Sequence, residues 1–146
     1  MAQWRAQLAH YPDELARRII KENIEFGGWN GVEMLFARGD LLLAYDLLVK
    51  TQKQVLAVLH ALNRMYMAHP RGKWLERVAA SMQYKPMQIA ERMMLALREG
   101  SVAGAQEMHR VVEETFALVE QHFPEIDLES AKRDARFRRE RISSPQ

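Results

Sequence analysis

Apolar residues along this chain recur at spacings of three and four, the period of a helix face. After Gly39 the strongest run places Leu41, Tyr45, Leu48, Gln52, Val55, Leu59, Leu62 and Tyr66 on one line. Flanking columns, Leu42–Val49–Leu56 and Ala44–Val58–Met65, widen that line beyond a two-stranded seam. Such a helix needs neighbours on several sides and belongs at the centre of a bundle. Asp40 stands where an N-cap carboxylate would accept from the first orphan amides.

Weaker periodic runs flank it. Met1–Ala9 reads as a short helix, and Tyr11-Pro12-Asp13-Glu14 as a helix start with proline and acids in the first turn. That helix runs to Ile24, and Gly27-Gly28 interrupts it before Trp29–Ala37 resumes. Beyond Pro70 and Gly72, Trp74, Leu75, Val78, Ala79 and Met82 mark a short helix, and Met87, Ala90, Met93, Met94 and Leu97 another. Gly100-Ser101 separates these from a long helix with Ala105, Met108, Val112, Phe116, Val119 and Phe123 in phase, stopped at Pro124. Asp127 is placed to cap a polar helix through Arg141, and the Ser143–Gln146 end is expected to be disordered. Short connections between such helices favour antiparallel neighbours. The expectation is an all-α, up-and-down helical bundle of about five to six helices. It spans residues 1–126, with a basic C-terminal helix and tail over 127–146.

Composition agrees. A chain of 146 residues has the common size of one domain, and 48% hydrophobic with 27% charged residues suffices for a core. Seven Gly and five Pro among long Leu, Ala and Met runs favour helix. The nine Met read as deformable core filling. Cysteine is absent, which excludes disulfides, thiolate metal sites and a cysteine nucleophile, and fits a cytoplasmic protein. Neither a signal-peptide core nor an uncharged run of the ~18 residues that crosses a bilayer is present. The net charge of +2 is uneven: residues 132–141 carry six basic and two acidic side chains, a local +4. With Phe137, that tail has the chemistry to meet RNA, an anionic membrane or an acidic partner, although a solvated terminal helix is the plainer reading.

Candidate chemistry gathers where the central run ends. The column Leu42–Val49–Leu56 next reaches Asn63, a polar amide in an apolar series. It either bonds the Pro70–Gly72 loop and holds the chain reversal, or lines a cleft. Arg64, Tyr66, His69, Arg71, Lys73 and Trp74 follow closely. These cations and rings suit a phosphate or planar base, but equally a helix C-terminus and ordinary aromatic packing. Arg64 and His69 also form R-x-x-x-x-H, the spacing of HEPN-type ribonucleases, with His as proton carrier and Arg as phosphorane stabiliser. The proline after His69 disfavours a shared helix face. Asp46, Lys53, His60 and Arg64 read as a solvated face, and His109 with Glu113 and Glu114 as the nearest approach to a metal-ligand set.

Leu62-Asn63-Arg64-Met65-Tyr66 followed by Lys73-Trp74-Leu75 resembles a motif of a helical domain of unknown function. That domain follows a small nucleotidyltransferase domain in many bacterial and archaeal proteins, an arrangement similar to aminoglycoside nucleotidyltransferases. Trp4, Leu8, Tyr11-Pro12-Asp13-Glu14-Leu15 and Arg38-Gly39-Asp40 fit the same pattern, so the likeness covers about Trp4 to Phe123. Met67–Gly72 is longer than the pattern expects. The resemblance implies an acceptor-binding or partner domain with Asn63, Arg64, Tyr66, Lys73 and Trp74 as cleft wall. It implies no cofactor of its own: nucleoside triphosphate and Mg would come with a catalytic domain in cis or trans. The chain shows no strand ending in Gly-Ser with a following Asp-x-Asp, and Gly100-Ser101 leads into Val-Ala-Gly. Two alternatives stand beside this reading, a HEPN-like ribonuclease using Arg64 and His69, and a structural bundle that forms a homodimer.

Overall fold

The computed structural model describes residues 11–26, 31–67 and 74–137. Seven helices and no strand occur among them: α1 (Asp13–Asn23), α2 (Val32–Arg38), α3 (Leu41–Leu62), α4 (Leu75–Ala80), α5 (Ile89–Glu99), α6 (Val102–His122) and α7 (Glu129–Arg136). The fold is all-α, with slightly more helices than the five to six expected of the bundle. The run Met1–Ala9 lies outside the described residues.

Helix α3 is the spine, in contact with α1, α2, α5 and α6. Ala44, Leu48, Val55, Val58, Leu59, Ala61 and Leu62 are at most 1% exposed, which is the several-sided burial that the widened stripe predicts. Gln52 belongs to the same stripe, and its amide donates to the Met93 carbonyl at 2.9 Å, so a buried polar group is satisfied across α5. The Tyr45 hydroxyl donates to Leu97 O at 3.1 Å. These two bonds run α5 antiparallel to α3. At the turn after α5, Gly100 has φ 50° and a Cβ there would stand 1.9 Å from the Tyr45 hydroxyl, so glycine suits the left-handed backbone and leaves room for the hydroxyl that holds α5. Ser101 then caps α6, its hydroxyl accepting from Gly104 N at 3.3 Å.

Several details depart from the sequence pattern. The helical stripe was expected to reach Tyr66, but α3 stops at Leu62. Asp40 holds the N-cap position without any side-chain cap bond. His60 is buried, not on a solvated face, with Nδ1 2.7 Å from Leu56 O. Of the methionines, Met82, Met93 and Met108 are core, whereas Met34, Met87 and Met94 are exposed. The basic helix α7 folds back on α6: Ala131 and Ala135 are buried, Lys132 pairs with Glu120, and Arg136 grips Glu113 through two bonds of 2.8 and 2.7 Å. Acids of α6 thereby occupy two of the cations counted as a nucleic-acid surface. Residues beyond Phe137 lie outside the described set, and among the described residues no helix is long and apolar enough to cross a membrane.

Candidate functional site

Three backbone bonds close α3. Asn63 N donates to Leu59 O at 3.0 Å, Arg64 N to Ala61 O at 3.1 Å and Met65 N to His60 O at 2.9 Å. The last two form a Schellman end, which asks for a left-handed residue, usually glycine, after the cap. Here that residue is Arg64, at φ 54°. A left-handed non-glycine costs about 1–2 kcal/mol, so the arginine side chain must return comparable free energy. Its Nε and Nη2 meet Asp13 of α1 at 3.0 and 2.9 Å, Nη1 donates to Leu62 O at 3.1 Å, and the guanidinium lies 4.8 Å from the centre of the Phe123 ring. One side chain thus joins the end of α3 to α1 and to the C-cap of α6.

Asn63 does the same for the loop after α4. Its Nδ2 donates to Leu59 O and Tyr84 O, both at 2.7 Å. Its Oδ1 accepts from Gln83 N and Tyr84 N, both at 2.8 Å. Two donors and two acceptor sites are all used within the chain, the full capacity of an amide. The segment it holds among the described residues is Gln83–Tyr84, some twenty residues on, and the Pro70–Gly72 loop of the sequence reading lies outside them.

Around this junction a cleft of about 440 Å³ opens, lined by Leu62, Asn63, Arg64, Met65, Ser81, Gln83, Tyr84 and His122. Its far wall is an aromatic pair, Tyr84 and His122, with ring centres 4.0 Å apart. Ser81 is turned back on its own helix, its hydroxyl donating to Val78 O at 2.7 Å. The cleft therefore combines three polar side chains already engaged within the chain, Asn63, Arg64 and Ser81, with Gln83 and the Tyr84–His122 pair on its other side.

Of the residues singled out from sequence, Asn63 and Arg64 line this cleft, and Tyr66 and Trp74 do not. Tyr66 is exposed and packs against Tyr11, ring centres 4.7 Å apart. Burial holds the Tyr11 hydroxyl above its ordinary pKa, with Tyr66 adding to the effect and Arg64 opposing it. Trp74 stands at the opposite end of α4 from Ser81, at φ 62°, half-exposed, with Arg77 5.9 Å from its ring centre. Lys73 and His69 lie outside the described residues, as do Pro70 and Arg71. Gln83, Tyr84 and His122 escape a reading by spacing, because only the fold brings residues so distant in sequence to the end of α3.

The other expected chemistry finds structural employment. Glu113 is held by Arg136, which sets its carboxyl below the ordinary range, while His109 stands 3.8 Å away. Glu114 accepts from Arg92 at 2.6 and 3.1 Å. Among the described residues no group of three or more His, Cys, Asp or Glu is placed to hold a metal ion.

Residues 1–75, just over half of the chain, match the family model described as Domain of unknown function (DUF4037). No curated protein and no solved structure matches the chain. The matched segment ends as α4 begins, so it contains Asn63 and Arg64 but not the Gln83, Tyr84 and His122 side of the cleft.

Proposed function

We propose that this chain, which belongs to the DUF4037 family, is the acceptor-binding or partner helical domain of a nucleotidyltransferase, with nucleotidyl transfer itself performed by a separate catalytic domain. The observation that carries this reading is the cleft at the end of α3, where the Leu62–Tyr66 motif supplies a wall fixed by Asn63 and Arg64. A wall whose polar groups are already satisfied does not move when an acceptor arrives, so little ordering is needed on binding. Gln83, Tyr84 and His122 then offer the remaining contacts. Nucleotidyl transfer draws on a nucleoside triphosphate and Mg, and among the described residues no group of three or more His, Cys, Asp or Glu is placed to hold a metal ion. In this reading both belong to the catalytic partner, in cis or in trans, in the cytoplasm.

The test is reconstitution with a nucleotidyltransferase domain encoded in frame upstream of Met1 or in the neighbouring gene. The expected result is transfer of labelled nucleotide, in the presence of Mg, that needs both parts. It should weaken in Gln83→Ala and His122→Ala through a raised KM for the acceptor. Transfer by the catalytic part alone at the same rate would overturn the reading. So would metal-independent RNA cleavage by this chain that disappears in Arg64→Ala and His69→Ala, which is the ribonuclease outcome.

A further inference from the structure

We infer that α3 docks a second copy of this chain, through the apolar face that its N-terminal half leaves uncovered. The column Leu42–Val49–Leu56 sits on one line of the helix, and its exposure falls along the chain from 89% through 36% to 8%. Three leucines in succession begin the helix, and Leu41 and Leu43 are also half-exposed. Together with Gly39, Asp40 and Asp46 they line a broad surface hollow of about 830 Å³. A helix face that is apolar and buried at one end and apolar and exposed at the other is a face with a missing neighbour.

The charges on that face say which neighbour fits. Asp46, Lys50 and Lys53 are exposed beside Leu42 and Val49. Their order along the helix, acid first and bases after, is complementary to its own reverse. When two α3 helices cross antiparallel with the symmetry axis beside Leu48, Asp46 of each copy meets Lys50 of the other. Leu43 then lies against the aliphatic stem of Lys53 of the second copy, and the two Val49 side chains meet near the axis. A symmetric contact of this kind uses the same patch on both copies and repeats every favourable pair. The long lysine stems cover leucine while their ammonium groups stay in water. This inference does not depend on the nucleotidyltransferase reading, since the face lies at the opposite end of α3 from the cleft.

Analytical ultracentrifugation of the full chain over a wide concentration range tests it. The expected result is a monomer–dimer equilibrium that Leu42→Glu abolishes while the circular dichroism spectrum and melting temperature of the dilute protein stay unchanged. Asp46→Lys and Lys50→Asp should each be monomeric alone, because each sets like charges opposite one another. An equimolar mixture of the two should form a heterodimer, which no purely structural effect on a single chain would produce. A parent chain that stays monomeric at every concentration overturns the inference. A dimer that survives Leu42→Glu, or a charge-swapped pair that fails to associate, overturns it as well.

Discussion

The two ends of α3 are made of similar residues and meet opposite fates. At its C-terminal end Leu59, Ala61 and Leu62 are at most 1% exposed. At its N-terminal end Leu41, Leu42 and Leu43 are 48, 89 and 51% exposed. Hydrophobicity does not separate them; the polar residues do. Beyond Leu62, Asn63 and Arg64 tie α1, the Gln83–Tyr84 loop and the end of α6 over the helix. Before Leu41, Asp40 makes no side-chain cap bond, and the tie at this end, from the Tyr45 hydroxyl to Leu97 O, holds α5 but leaves the three leucines exposed. Burial therefore follows where a side chain of fixed geometry holds a second segment in place, and an apolar run that no such tie covers stays available to another molecule.

The largest effect should come from Asn63→Ala. It removes four hydrogen bonds and leaves the Gln83 and Tyr84 backbone groups to find water in a narrow cleft. An unsatisfied, partly buried polar group costs about 1–3 kcal/mol, so urea unfolding should show a loss of roughly 2–3 kcal/mol with the slope unchanged. If the loss were as small as that for an exposed leucine, the contrast between the two ends would collapse.

Arg64 sharpens it, because strain and tie reside in one residue. Arg64→Ala keeps the left-handed backbone and loses the Asp13 pair and the Phe123 contact, and should cost about 1 kcal/mol. Arg64→Gly loses the same contacts but relieves the strain, so it should be about 1 kcal/mol more stable than the alanine variant. Gly39 supplies the control. It sits at φ 80° with open space where a Cβ would go, so Gly39→Ala should cost about 1 kcal/mol through strain alone. A thermal-melt series over the three variants separates backbone strain from contact free energy.

A smaller contribution is pH-dependent. Arg92 lowers the pKa of Glu107, Arg136 that of Glu113 and Arg17 that of Glu125. Carboxyls depressed in the folded state add stability that is present above their unfolded pKa and lost as pH falls through the folded one. Melting temperature should therefore drop on acidification below the ordinary glutamate range. Glu113→Gln should flatten that drop while costing under about 1 kcal/mol near neutrality.

Much of this architecture is legible in the sequence, for reasons that also mark the limits. The three-and-four spacing from Leu41 to Leu62 is a local property, and α3 follows it. Gly100-Ser101 and Pro124 bound α6 because backbone freedom, a hydroxyl cap and a missing amide act within a turn or two. The stop at Leu62 is not legible, since Arg64 takes a left-handed position for the sake of Asp13, fifty-one residues earlier. His60 has the spacing of a surface residue but is buried, because the neighbours that cover it come from elsewhere in the chain. The candidate cleft divides in the same way. Asn63 stands out as a polar residue in an apolar column, whereas Gln83, Tyr84 and His122 carry no periodic signal and reach the site only through packing.

The smallest effect belongs to the open end. In dilute protein, Leu42→Ser replaces a side chain that is 89% exposed, so it removes almost no buried apolar area from the monomer. Substitutions away from packed features stay within about 0.5 kcal/mol. Serine for leucine in a helix loses at most about 0.3 kcal/mol through propensity, less in the first turn where Leu42 stands, and hydration of the hydroxyl offsets part of it. Chemical unfolding at low concentration should therefore hardly distinguish the variant from the parent. The same experiment at high concentration adds the stabilisation that any binding to the folded state brings, which grows with free partner. A parent that gains melting temperature with concentration, beside a Leu42→Ser variant that gains less, would locate the missing neighbour at this end of α3. Equal behaviour at every concentration would mean that these leucines are simply solvated, and that the open end of the helix has no partner of its own kind.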